Sequence, residues 1–345
     1  MHPVTRQRQQ GIAVLTAILV VAIATVLAVN LLWGTSVDIQ RTQNLLAQDQ
    51  ARLYDLGGEE LAKDALSRDG QGSGVSRDDY SKNEKEEWAT YIVTQFKDGT
   101  LEGGLIDQQG LFDLNSLIDS GTTKADPQAK EQFENLLVLV SAKQDVPVDP
   151  ATATELAEAT IDWLDPDALG DAEDGYYTNL QPPYVPANFW FTSISELQAV
   201  RGFSPEILRD LWPHVTALPR QGKPPQGQNS TRWPLNVNTA THLVLASLVR
   251  GTTADDIELF CGAAEIGKTG MKGCGTSYGS DGEFRAEFLG ATGVDLPPTV
   301  PLGVTSNWFL LTVTTTIGST RSTMYSLLQR DVANVRARIR TFDAN

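Results

Sequence analysis

The residues best equipped for chemistry lie in "DWLDPDALGDAEDGYY" (162–177). Asp162, Asp165, Asp167, Asp171, Glu173 and Asp174 fall within thirteen positions. Carboxylates this dense in a Gly- and Pro-punctuated loop repel one another unless a cation or strong solvation offsets them. Calcium, with six to eight oxygen ligands and tolerant geometry, suits the donor set best. The spacing is not that of an EF-hand. Counted from Asp165, the fifth position is Leu169 and the twelfth Tyr176, where an oxygen donor and a glutamate are required. The alternative is a solvated acidic loop without an ion. Asp162 and Asp165 could also be imagined as a glycosidase pair, but no sugar-binding aromatic surface is legible beside them. Asp281 and Glu283, just after Ser280, are a weaker cluster and read as helix-start chemistry.

Other reactive residues are sparse. His2, His214 and His242 form no zinc-binding pair and sit in no recognisable nucleophile context, so no catalytic residue is assigned and the chain is expected not to be an enzyme. Cys261 and Cys274, in "CGAAEIGKTGMKGCG", bracket a segment with little to bury. A disulfide clip is the reading if the chain is exported, with two unrelated thiols as the alternative; without nearby histidines they make a poor zinc site. The net charge of −16 repels phosphate and anionic lipid. That bears on "ISELQAVRGFSPEIL" and "LNVNTATHLVLASLVRGTTADDI", which resemble helix-hairpin-helix modules. Their turns, Arg201-Gly202 and Arg250-Gly251, are followed by Glu206 or by Asp255 and Asp256, so the modules read as protein–protein scaffolding and no nucleic acid is expected.

The elements that must carry these residues begin with an apolar segment. From Gln9 to Val37 there is no charged residue, more than the roughly 20 residues that span a bilayer as a helix. Arg6 and Arg8 precede it, so the positive-inside rule places the N-terminus in the cytoplasm and the body outside. Leu45, Leu46, Leu53 and Leu61 continue a near-helical spacing to about Leu66. "SRDGQGSGVSRDD" (67–79) reads as a loop. "EKEEWATYIVTQFKDG" begins helix-like but contains a β-prone "TYIVTQF", and its type stays open. "GGLIDQQGLFDLNSL" contains a strand ending in Asn115. "NWFLLTVTTTIGSTRSTMYSLLQRD" predicts a hairpin turning at Gly318-Ser319, and "NVRARIRTF" a last strand. Between them, roughly 119–300 is helical. "QAKEQFENLLVLVSAK" and "PATATELAEATIDWLDP" show helical periodicity. Ser193 and Glu196 form a capping box, Ser204 an N-cap before Pro205, and Gly251 a C-cap.

Several stretches in order carry a resemblance. "QQGIAVLTAILVVAIATVLA" resembles a type IV pilin-like leader: a short basic segment, a glycine, then an apolar helix. "IDQQGLFDLNSL" (106–117), "IDWLDPD" (161–167), "AEDGYY" (172–177), "PPYVPANFWFTSISELQAVRGFSPE" (182–206) and "LNVNTA" (235–240) extend it over nearly the full length. Most pilin-like subunits have glutamate at the fifth mature position, paired in proposal with a neighbouring subunit's N-terminal ammonium. Here that position is Thr16, as expected of a subunit with none above it. On these residues the chain resembles the K-type minor pseudopilins of type II secretion systems.

The resemblance implies cleavage by a prepilin peptidase after Gly11 and N-methylation of Ile12. It implies an α+β, type IV pilin-like fold, a long N-terminal helix on an antiparallel sheet, with a large all-α domain inserted between strands. The expected segments are a leader (1–11), an assembly helix (12–66), the first part of the pilin-like domain (67–118), the insert (119–300) and closing strands (301–345). It tips the acidic loop towards calcium, held by Asp165, Asp167, Asp171 and Asp174, with Glu173 a further candidate. The implied partners are I-, J- and H-type minor pseudopilins, the inner-membrane assembly platform, and secretin or exported substrates. The implied role is a pseudopilus tip that initiates assembly. The competing reading is a membrane-tethered periplasmic calcium-binding or hydrolytic protein unrelated to filaments. Sequencing the mature N-terminus separates the two: N-methylated Ile12 is expected, and an intact leader or cleavage beyond Trp33 favours the alternative.

Overall fold

The computed structural model describes residues 10–70, 77–80, 86–119, 124–142, 144, 147–166, 174–220, 232–266, 268–331 and 334–344. Helix α1 (Gln10–Asp69) is 60 residues long, about 90 Å at 1.5 Å per residue. It contains no proline, and its apolar part is long enough to cross a membrane. Hydroxyls within that part bond back to the helix, Thr25 to the Val21 carbonyl at 2.8 Å and Thr35 to Leu31 at 3.1 Å, as an apolar surrounding demands.

The rear of α1 lies on a five-stranded antiparallel sheet. Its strands are β1 (Ile92–Phe96), β2 (Gly99–Asp107), β3 (Trp308–Ile317), β4 (Thr320–Asp331) and β5 (Asn334–Ala344), in sequence order across the sheet. The helix face in contact is Ala51, Asp55, Gly58, Glu59, Ala62 and Leu66, spaced as one side of a helix requires. Gly58 permits the close approach: a Cβ there would meet Val313 Cγ1 at 3.1 Å. Beneath the helix and beside it, Trp88, Leu105, Phe309, Leu311, Val313, Met324 and Leu328 form the sheet's apolar core.

Two carboxylates face the sheet, which answers them with hydroxyls. Asp55 accepts from Thr315 and Ser322, both at 2.6 Å; burial raises its pKa and those bonds oppose the rise. Glu59 accepts from Ser326 at 2.8 Å, from Lys63 at 2.6 Å and doubly from Arg340 at 2.7 Å. Burial works to raise its pKa, but the bonds from Arg340, Lys63 and Ser326 prevail and hold it at about 2.

Between β2 and β3 the chain leaves the sheet to build a second body. Its helices are α2 (Pro127–Ser141), α3 (Pro150–Leu164), α4 (Asp174–Tyr177), α5 (Pro205–Leu211), α6 (His242–Ala246), α7 (Ala254–Cys261) and α8 (Asp281–Thr292). Asp126 and Asp149 cap α2 and α3, each just before a proline at the first helical position. One core gathers Phe133, Leu137, Leu156, Trp163, Leu208 and Leu211. A second gathers Ile257, Phe284 and Phe288 beside Cys261 and Cys274.

The hairpin forms as its sequence predicts, with Gly318 at φ 58°, and "TYIVTQF" resolves into β1. Other expectations shift. The strand expected to reach Asn115 stops at Asp107, because Phe112–Asp113 pairs instead with Val215–Thr216 and Leu114–Leu117 coils into a 3-10 turn within the helical core. The second body therefore takes residues 108–118 from the segment assigned to the pilin-like domain, and residues 301–307 before β3. It is not all-α: it contains two-residue ladders at 112–113 with 215–216, 235–236 with 302–303, and 264–265 with 272–273. Helix α6 ends at Ala246, capped at Ser247, so Gly251 (φ 90°) serves the following turn rather than a C-cap. Leu45, Leu46, Leu53 and Leu61 face away from the sheet.

Because Glu59 is held below its ordinary value of 4.5, its contribution is complete above that pH and is lost as pH falls towards 2. Glu59→Gln should cost roughly 1.5–3 kcal/mol at neutral pH and flatten the stability profile between pH 4.5 and 2. Chemical denaturation across that range checks it, and an acid limb identical to wild type counts against the assignment.

Candidate functional site

The front of α1 is the first candidate region. Ile12 lies in its opening turns with an exposed side chain, next to Gly11 in the helical backbone. One turn on, the Thr16 hydroxyl donates to the Ala13 carbonyl at 3.0 Å. The position is thus polar but neutral, satisfied by its own helix and needing no countercharge. Further along, Leu46, Leu53 and Leu61 recur every seven or eight residues and are 64%, 70% and 62% exposed. Seven-residue spacing keeps them on one side of the helix, opposite the carboxylate face.

The acidic loop is the second region. Asp167, Asp171 and Glu173 lie outside the described residues, as does the side chain of Asp174, whose backbone opens α4. Asp165 caps α3, its N–H bonded to the Ile161 carbonyl at 2.9 Å. Asp162 is buried one turn earlier. What holds the loop's two ends is aromatic: Trp163 and Tyr177 meet edge to face at 5.4 Å, Tyr177 lies 5.1 Å from Tyr184, and Arg201 sits 4.9 Å over Tyr176. Burial pushes the Tyr177 hydroxyl up to about 12, so it stays neutral and accepts from the Arg201 N–H at 3.1 Å.

Cys261 and Cys274 are joined by a disulfide, their Cα atoms 5.1 Å apart. Ser280 caps α8, Glu283 accepts from the Gly279 N–H at 2.8 Å and Asp281 pairs with Arg285, which makes that acidic cluster helix-start chemistry. The two hairpin modules are short helices around Gly202 (φ 91°) and Gly251, with Leu197, Leu208, Leu211 and Ile257 turned into the two cores. His214 is half-buried, its Nδ1 2.9 Å from the Thr241 hydroxyl, and that burial depresses it to about 4. His242 is buried, its Nε2 2.9 Å from the Gly262 carbonyl. Both are packed structural groups.

The junction between sheet and second body is polar, and its residues come from the recognisable stretches. Asp107 is fully buried; burial raises its pKa while Ser306 (2.5 Å), Thr239 (2.6 Å), the Gln109 N–H (2.8 Å) and Asn236 (3.0 Å) donate to it. Asn236 also donates to the Asp78 carbonyl at 3.1 Å and Ser306 Oγ at 2.9 Å. Gly110 lies so close to Thr239 that a Cβ would meet its carbonyl oxygen at 2.5 Å. "IDQQG" and "LNVNTA" are therefore two halves of one joint.

Beside this joint lies a group that linear reasoning did not find. Asp69 at the end of α1, Asp78 and Glu86 each bring a carboxylate oxygen within 4.8 Å of the others. Arg330 pairs with both Asp69 and Asp78. Burial, then the neighbouring Asp69, pushes Glu86 up to about 9; burial pushes Asp78 up to about 7 against the pull of Arg330.

Residues 110–220 match the family model described as type II secretion system protein K. Type II secretion system protein K of Aeromonas hydrophila is 29% identical over 340 residues, covering 95% of each chain. That of Pseudomonas aeruginosa is 34% identical over 250 residues, covering 70% of this chain and 69% of its own. Among solved structures, a chain of the GspK-GspI-GspJ complex from enterotoxigenic Escherichia coli superposes with a TM-score of 0.67 at 24% identity, over 88% of this chain and 99% of that one. The pilin-like α+β fold is thus shared, and with 34% identity over 70% of this chain and 69% of a relative, the chain belongs to the type II secretion system protein K family.

Proposed function

We propose that this chain is the tip subunit of a type II secretion pseudopilus, anchored by a single inner-membrane helix and assembled through that helix with I- and J-type minor pseudopilins. The observation that carries the reading is Thr16. A carboxylate at this depth would need a partner charge; a hydroxyl bonded within its own helix needs none, which suits a subunit with nothing stacked above it. The stripe Leu46, Leu53, Leu61 supports assembly through helices, because it is apolar, aligned and turned away from the chain's own sheet. The solved relative was crystallised in a complex with GspI and GspJ. The second body, some two hundred residues projecting from the end of a thin α+β unit, is too wide to repeat along a narrow shaft. Labelling this chain in pseudopilus preparations should mark one filament end; label spread along the shaft sinks the proposal. Leu53→Arg should weaken copurification of the I- and J-type subunits at least tenfold while leaving the folded spectrum and melting temperature of the chain unchanged.

The second part of the reading is calcium in the acidic loop, held by Asp165, Asp167, Asp171 and Asp174, with Glu173 in reach. Its support is the density of carboxylates between two helices whose ends are clamped by aromatic packing, so that loop repulsion is not relieved by opening. Chelation should lower the melting temperature of the protein, by several degrees if the ion is bound well above its dissociation constant. Calcium should restore it, and identical melting with and without chelator discards this part.

A further inference from the structure

The carboxylates Asp69, Asp78 and Glu86 come from three separate segments. Each already uses one oxygen. Arg330 donates to Oδ2 of Asp69 and, at 2.5 Å, to Oδ2 of Asp78; the Ser306 N–H also takes Asp78 Oδ2, at 2.7 Å. The Trp88 indole donates to Glu86 Oε2 at 3.0 Å. Asp69 and Glu86 also lie within hydrogen-bond reach of each other, two acids side by side. The remaining oxygen of Asp78, Oδ1, has no hydrogen-bond partner although the residue is 0% exposed. An orphaned carboxylate oxygen at zero exposure is costly, and two other buried acids show the contrast: Asp107 at the joint takes four donors, and Asp55 on α1 takes two. Whatever satisfies Asp78 Oδ1 must donate to it or coordinate it, and be small enough to share the space with two more acids.

We propose that Asp69, Asp78 and Glu86 form a binding site for a divalent cation of the calcium class, distinct from the acidic loop. An ion about 2.4 Å from each oxygen accommodates oxygens up to twice that far apart, and the three groups lie within 4.8 Å of one another. Three carboxylates beside a single guanidinium leave a net charge of −2, which a divalent ion neutralises. Asp69 and Glu86 are only partly buried, which leaves room for water to complete the coordination shell. Bound there, the cation ties the last residue of α1 to the segment before β1 and, through Arg330, to β4.

The test is calcium binding to the full chain in detergent, read as stoichiometry by calorimetry and as terbium emission excited through tryptophan, since Trp88 touches a ligand. Glu86→Gln keeps an acceptor for the Trp88 indole and offers a donor to Asp69, so it should fold, with a melting temperature in chelator within about 2 °C of wild type. It should bind one equivalent fewer, or bind that equivalent at least tenfold more weakly, and lose the matching terbium emission. Asp165→Asn, aimed at the loop, should leave this equivalent in place, which separates failure of this site from failure of the loop. Should Glu86→Gln not fold, Asp69→Asn is measured in its stead. Equal stoichiometry and affinity in wild type and a folded variant overturns the proposal.

Discussion

The structure depends on one contact: the rear of a 60-residue helix welded to an antiparallel sheet through paired carboxylates as well as through Leu66 and small residues. Asp55 and Glu59 enter a surface already lined with Thr315, Ser322 and Ser326, and Arg340 grips Glu59 from the edge strand. Buried acids are costly unless fully hydrogen-bonded, and here they are. Because donors and acceptors must match one by one, the contact admits a single register. A purely apolar seam would tolerate the helix sliding by a turn; this one leaves orphaned charge if it does. With the rear held, the front of the helix projects free, which is what an anchored assembly subunit requires.

The same logic recurs where the second body joins the sheet. Asp107, Asn236, Ser306 and Thr239 form a closed hydrogen-bonded node, and Arg330 runs from it to the end of α1. Apolar packing supplies the bulk of each body, while polar networks set the relation between them. The disulfide and the aromatic clamp are local devices inside the second body, each closing a stretch with little core of its own.

Much of this was legible in the sequence where the signal is local. The β3–β4 hairpin announces itself through β-branched runs around a glycine turn, and the caps at Ser193, Ser204 and Ser280 sit where hydroxyl and acid spacing places them. The helix periodicity of Leu45, Leu46, Leu53 and Leu61 is real, and it marks the face turned away from the sheet, whose serines and threonines match carboxylates on the other side. The misreadings share a cause. The strand ending and two of the three two-residue ladders follow from partners more than sixty residues away, which no window contains. The cluster at Asp69, Asp78 and Glu86 meets an arginine up to 261 positions off, and only the folded chain brings them together.

The second body hangs from two neighbouring strands, β2 and β3, that leave the sheet at the same end. A load pushing or dragging that body along the strand direction would bear on both threads in the same sense. Their outer neighbours, β1 and β4, would then resist by sliding, with every rung of each ladder strained at once instead of parting in turn. Such a mount is stiff against thrust in the way a double-lap joint is.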